Sequence, residues 1–146
     1  MTLYVLLMPC PAEPSENSYY ENLVEKHCHV YGLDTRLVMA QIQTESNFEV
    51  FAVGPDKRGS GASYGLLQIK LSTARILGFK GTLRQLFKPE INIHYGCLYL
   101  SQMVYDSGNV FMALDWYNRG PARAKRNPWK KDWLTHPYVS RILHFI

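Results

Sequence analysis

Nowhere does the chain carry an apolar run long enough to cross a bilayer, so no integral membrane segment is expected. Cysteine is scarce and odd in number. Cys10, Cys28 and Cys97 are a poor disulfide framework, and buried or free thiols are the expected state, with at most one bridge. Internal repeats and low-complexity tracts are lacking, which excludes a solenoid or a disordered tail. No segment shows the strict alternation of a strand. Metal-ligand spacing is missing too. His27, Cys28 and His29 are consecutive, and consecutive helical residues point in different directions, so even with His94 and Cys97 no metal or other cofactor is expected. The apolar start, residues 1–10, has no basic flank and meets Pro9 and Pro11, a poor pattern for a cleaved leader.

What is present is ordinary globular material. The 146 residues suffice for one domain with a real core, and 47% are apolar. The net charge of +4 suits a polyanionic partner, whether nucleic acid, a membrane surface or an anionic cell envelope, without choosing among them.

Residues 1–17 read as an exposed lead-in, and residues 18–146 as the domain. A helix is predicted over 18–31, closed by Gly32. Asp34 can cap the next, in which Leu37, Val38 and Ile42 repeat at helical spacing up to about Asn47. Periodicity then vanishes over residues 49–63, a long loop with Gly54, Pro55, Gly59 and Gly61. Order returns at 65–69. Shorter helices follow at 73–77 and 82–87, then longer ones at 91–105 and 109–117, and a last one over 137–146. On the helix over 91–105, Ile93, Cys97, Leu100 and Val104 share one side. The fold class is mainly α.

Glu45 is the residue that carries chemistry. It lies three residues after Ile42 and seven after Val38, on the face expected to bury. It also falls in the last helical turn. Burial and the negative end of the helix dipole both favour the neutral acid, the state in which a carboxyl can protonate a leaving oxygen. A glutamate at a helix end can equally turn outward and pair with a base, and periodicity alone leaves both readings open.

The surrounding text sharpens the choice. Glu45-Ser46-Asn47-Phe48 is followed by Gly61-Ala62-Ser63 and Gly65-Leu66-Leu67-Gln68-Ile69, then by Asn92-Ile93 and Gly96. Farther on stand Ala113-Leu114, Tyr117-Asn118, Gly120 and Tyr138-Val139. In this order, from about Leu23 to Ile142, the chain resembles the catalytic domain of soluble lytic transglycosylases, which share a lysozyme-like fold with goose-type lysozymes. The resemblance implies a lysozyme-like single domain with a long loop after the catalytic helix. It also implies cleavage of peptidoglycan glycan strands between N-acetylmuramic acid and N-acetylglucosamine, with 1,6-anhydro ends. Glu45 matches the single catalytic glutamate. Ser46, Ser63, Tyr64, Gly65, Leu67, Gln68, Tyr117, Asn118 and Tyr138 match positions expected to line the substrate cleft. Tyr117 and Asn118 are expected to offer a phenol and an amide to the carboxyl and the N-acetyl group. Tyr138 is expected at the cleft wall. Both tyrosines can also be plain core aromatics.

Departures are local. The loop before Gly65 is longer than usual. A serine common in the family aligns with Gly54, and Ser60 or Ser63 is left to replace it. Lys70-Leu71 stands for Met-Pro, and Trp116 for a small residue. A loop of this length can be a lid over the glycan or a plain surface connection. Glu49 and Asp56 are the nearby acids that could act as a second carboxylate. Residues 119–131 interleave Arg119, Arg123, Lys125, Arg126, Lys130 and Lys131 with Trp129. An anionic envelope is the expected contact, in preference to nucleic acid, with a solvated surface as the plainer alternative. A monomeric phage endolysin, moving from host cytoplasm to the wall, is the expected setting. A periplasmic or secreted enzyme is the alternative.

Overall fold

The computed structural model describes residues 16–56 and 61–146, so the expected lead-in lies almost wholly outside the described residues. Helix α1 spans Glu16–Tyr31 and α2 spans Thr35–Ser46. A two-stranded antiparallel hairpin follows, β1 Ser63–Tyr64 and β2 Ile69–Lys70, paired Ser63 to Lys70 and Tyr64 to Ile69. The rest is helical: α3 Leu71–Ile76, α4 Leu83–Leu86, α5 Pro89–Ser107, α6 Val110–Arg119, α7 Pro121–Arg126 and α8 Pro137–Leu143, with a 3-10 turn at Trp133–Thr135. Among the described residues no helix is long and apolar enough to cross a membrane.

Local chemistry sets these boundaries. The Asp34 carboxylate accepts from Arg36 N at 2.8 Å and starts α2. Asn47, at φ 51°, ends it in the left-handed conformation that asparagine tolerates. Asn109 accepts from Phe111 N and Met112 N, each at 3.0 Å, and starts α6. Proline stands at the first position of α5, α7 and α8, where no helical N–H bond is lost.

Helix α5 is the spine. It packs against α1 on one side and α6 on the other, while α2 lies on α8. Val24, Val38, Ile42, Leu66, Ile93, Cys97, Leu114, Val139 and Ile142 close the main core. Cys28 and Cys97 meet there as free buried thiols in contact, the neighbours their spacing allowed. On α5 the stripe of Ile93, Cys97 and Leu100 is buried as expected, but Met103 takes the next place and Val104 is only half-buried.

Two expectations need correction. A strand pair exists where none was foreseen, because two-residue strands are too short to leave a period-two pattern. The segment after α2 is also less open than its composition suggests. Val53 bridges to Tyr64, Gly54 N donates to Ser63 O at 2.8 Å, and Gly65 N to Ala52 O at 2.9 Å. Residues 57–60, the core of the extra loop material together with Ser60, lie outside the described residues. Helix α7 was hidden by its charge: PARAKR has one buried residue, Ala124, and no apolar stripe to read.

Candidate active site

Glu45 sits in the last turn of α2, half-buried, one residue before the helix ends. Val38 and Ile42, on its face, are fully buried and hold that stretch of helix against the core. From α8, the Tyr138 hydroxyl donates to Glu45 Oε1 at 2.5 Å. The same phenol oxygen accepts from Gln41 Nε2 at 3.2 Å. Gln41 is one helical turn before Glu45 and fully buried. The relay therefore has a direction: amide to phenol, phenol to carboxyl. Burial and the nearby Glu45 charge hold the Tyr138 phenol well above the usual range, so it stays a donor. A phenol donating to a carboxylate favours the ionised form and fixes the orientation of the group.

The start of α8 keeps Tyr138 in place. His136 Nδ1 accepts from Tyr138 N at 3.2 Å and Val139 N at 3.3 Å, a side-chain cap on the helix. The ring proton must then lie on Nε2, which donates to Asp115 Oδ1 at 3.0 Å. Asp115, nearly fully buried on α6, is also ion-paired with Arg119 one turn on. A buried charge needs such pairing. Thus α6, through Asp115 and His136, sets the N-terminus of α8 and with it the phenol on Glu45.

The hairpin is held by side chains of α5 and α6. Asn92, fully buried on α5, accepts from Leu67 N at 2.8 Å through Oδ1. Its Nδ2 donates to Tyr64 O at 2.8 Å and Leu86 O at 3.0 Å. The Tyr117 hydroxyl donates to Leu67 O at 2.7 Å. Leu67 is thereby clamped at both its N–H and its carbonyl. Gly65, at φ 75°, lies where a Cβ would come within 2.3 Å of Asn92 Nδ2. Gln68, at φ 46°, donates through Nε2 to Gly65 O at 2.9 Å and Ala52 O at 3.2 Å, and accepts from Ser63 Oγ at 2.8 Å.

That last bond holds Ser63 beside Gly54; Ser60, the other serine considered, lies outside the described residues. A Cβ on Gly54 would fall 2.2 Å from Ser63 Oγ. The Ser63 hydroxyl therefore occupies the space that a side chain at position 54 would take.

Tyr138, expected near the cleft wall, donates its phenol to Glu45. Tyr117, expected to flank the acid, donates to the Leu67 carbonyl and also lies near Glu45: burial and then the charge of that carboxylate hold its phenol well above the usual range. Both are core aromatics as well. Ser46 Oγ accepts no site contact but donates to Ile42 O at 3.2 Å, back along its own helix. Tyr64 packs edge-on to Phe87 with centroids 5.7 Å apart. Asn118 is exposed on α6 and lines a groove beside Tyr138. Glu49 and Asp56 are exposed and each ties its own loop: Glu49 Oε1 accepts from Phe51 N at 3.2 Å, Asp56 Oδ1 from Gly61 N at 2.9 Å. Gln41, Asn92, Asp115 and His136 were missed as supports. One signal was available for Gln41, a polar residue on an apolar helix face four residues before the acid.

A helical domain with a glutamate at the end of its second helix, a tyrosine from its last helix on that carboxyl and a short hairpin following the second helix is a lysozyme-like architecture. A family model described as "Transglycosylase SLT domain" matches residues 22–136, and the chain belongs to that family. The membrane-bound lytic murein transglycosylase C of Sodalis glossinidius is 34% identical over 91 residues, 58% of this chain and 24% of that protein. Among solved structures, an inactive mutant of the lytic transglycosylase Slt from Pseudomonas aeruginosa superposes with TM-score 0.69 at 26% identity, over 85% of this chain and 22% of that one. The 70 kDa soluble lytic transglycosylase of Escherichia coli, 24% identical, shares the fold with TM-score 0.70, over 86% of this chain and 23% of that one. The chain spans about a quarter of the length of the curated relatives it matches.

Proposed function

We propose that this chain is a peptidoglycan lytic transglycosylase, with Glu45 as acid and then base. The observation that carries the reading is the Tyr138 phenol on Glu45 Oε1 in a chain of this family. The Glu45 carboxyl gives its proton to the oxygen joining N-acetylmuramic acid to N-acetylglucosamine, and the bond from that oxygen to the muramic C1 breaks. The carboxylate then takes the proton of the muramic C6 hydroxyl as O6 bonds to C1. The glutamate ends as it began, and no water is consumed. An attacker within the same sugar gains from proximity and removes the need for a second carboxylate to activate water. Glu49 and Asp56, engaged with their own loop, fit that economy. Ser63, Tyr64, Gly65, Leu67 and Gln68 form the wall along which the glycan lies, and Asn118 stands at its far side.

The matched relatives are bacterial and their printed names place them at a membrane, which supports a periplasmic setting over a phage endolysin released from the host cytoplasm. The reading includes action as a monomer.

The test is product analysis. Purified peptidoglycan digested with this protein should yield muropeptides ending in 1,6-anhydromuramic acid by mass spectrometry. Reducing muramic ends would assign hydrolysis, as in a goose-type lysozyme, and overturn the transglycosylase chemistry. Glu45→Gln keeps the size of the side chain and removes its proton. It is expected to lower activity at least about a thousandfold, since the acid step is lost; unchanged lysis would remove Glu45 as the catalyst.

A further inference from the structure

A groove of about 490 Å³ opens beside Tyr138 and runs between the start of α8 and residues 127–131. Asn118, Trp129, Lys130, Lys131 and Arg141 line it with Tyr138. Its lining includes no carboxylate. Asp115, the acid behind it, is 1% exposed and paired with Arg119 and His136. Lys130 and Lys131 are exposed and make no ion pair among the described residues. The wall they stand on is held. Trp129 Nε1 donates to Asp132 O at 3.1 Å, and its ring meets the His136 ring edge-on at 4.7 Å. The groove is thus positive, partly aromatic and lined by the tyrosine whose phenol touches Glu45.

We propose that this groove is a subsite for the anionic stem peptide of the muramic residue held at Glu45; the inference rests on the transglycosylase reading above. Charge selects the occupant. The N-acetylated sugars of the strand are neutral. The short peptide on the lactyl group of the muramic residue carries free carboxylates, and it branches from the sugar whose C1 reacts. A cationic groove that shares Tyr138 with the catalytic carboxyl attracts that branch and would gain nothing from the neutral sugars. Lys130 and Lys131 are the recognising charges, and Trp129 offers a flat face to the peptide backbone.

The Glu45→Gln protein, which binds without cutting, allows a direct test by isothermal titration. One ligand is a muramic-containing tetrasaccharide with its peptides; the other is the same tetrasaccharide stripped of them by an amidase, with the lactyl carboxylates so freed capped as methylamides to keep it neutral. Two exposed ion pairs are worth about fivefold together, so the peptide-bearing ligand should bind about fivefold more tightly at low salt. In Lys130→Gln/Lys131→Gln on that background the two affinities should converge. A preference that persists in the double variant, or no preference at the start, overturns the subsite. Equal weakening toward both ligands also overturns it, and would assign the lysines to the glycan. Tighter binding of a wall phosphate polymer than of the peptide-bearing ligand would assign the groove to that polymer instead. Failure of the parent reading looks different: the unsubstituted protein would leave peptidoglycan uncut.

Discussion

Tyr138→Phe isolates one hydroxyl. In the folded chain it donates to Glu45 Oε1 at 2.5 Å and accepts from Gln41 Nε2 at 3.2 Å. A hydrogen bond to a charged group contributes about 1.5–3 kcal/mol, and a buried donor left without a partner costs about 1–3 kcal/mol. Gln41 is fully buried and its Oε1 has no hydrogen-bond partner among the described residues, so losing the phenol oxygen strands both ends of the amide. The expected loss of stability is about 3 kcal/mol, or a melting temperature lower by about 10 °C in a domain of this size. The catalytic effect is separate. A carboxyl that loses this partner is misplaced by a fraction of an ångström to an ångström, which can cost about a hundredfold in kcat. The split between kcat and KM distinguishes lost positioning from simple loosening, since a misplaced carboxyl slows turnover while glycan binding is kept. Turnover of purified sacculi over a range of substrate concentrations, alongside thermal melts, reads both effects. Activity within about twofold of the parent with an unchanged melting temperature would refute the assigned relay.

The hairpin wall should be sensitive at Asn92. Asn92→Ala removes three hydrogen bonds, two of them buried, and should cost about 3 kcal/mol in urea unfolding, with Leu67 losing its N–H partner. Gly54→Ser places a Cβ 2.2 Å from Ser63 Oγ and 2.4 Å from Gln68 Oε1. It should destabilise by about 1–3 kcal/mol, and Gly54→Ser/Ser63→Gly should recover most of that, a coupling that thermal melts of the double-mutant cycle measure. Burial lowers both His27 and His94 below the ordinary 6.5, so the folded chain binds fewer protons than the unfolded one beneath that value. Stability from this source is intact above about pH 6.5 and is lost as pH falls through the lowered folded values. The melting temperature of His27→Gln/His94→Gln should therefore depend less on pH between 7 and 5 than that of the parent, about as measured by calorimetry in matched buffers.

How far the chain can be read without its fold depends on the range of the interaction. Helices α1, α2, α5 and α6 announce themselves because their caps and apolar stripes are local: Asp34, Asn109, Gly32 and Pro89 sit within a few residues of the ends they define. The helix face that carries Glu45 was legible for the same reason, since Val38 and Ile42 mark it. The phenol on its carboxyl was not, because Tyr138 lies 93 residues away and nothing near it states a partner. Two buried tyrosines followed the same motif order, and only packing assigns one to the Leu67 carbonyl and the other to the acid. His136 is similarly mute in sequence; a histidine before Pro137 becomes a cap only once Asp115 fixes its proton on the far nitrogen. The exchange at Gly54 is the sharpest case. Position 54 lacks a side chain, and position 63 has a hydroxyl, facts that are unrelated along the chain. The backbone bond from Gly54 N to Ser63 O brings the two residues side by side, and the hydroxyl then enters the space that the glycine leaves. The glycine at 54 is thus matched by a hydroxyl from position 63, which Gln68 holds in place.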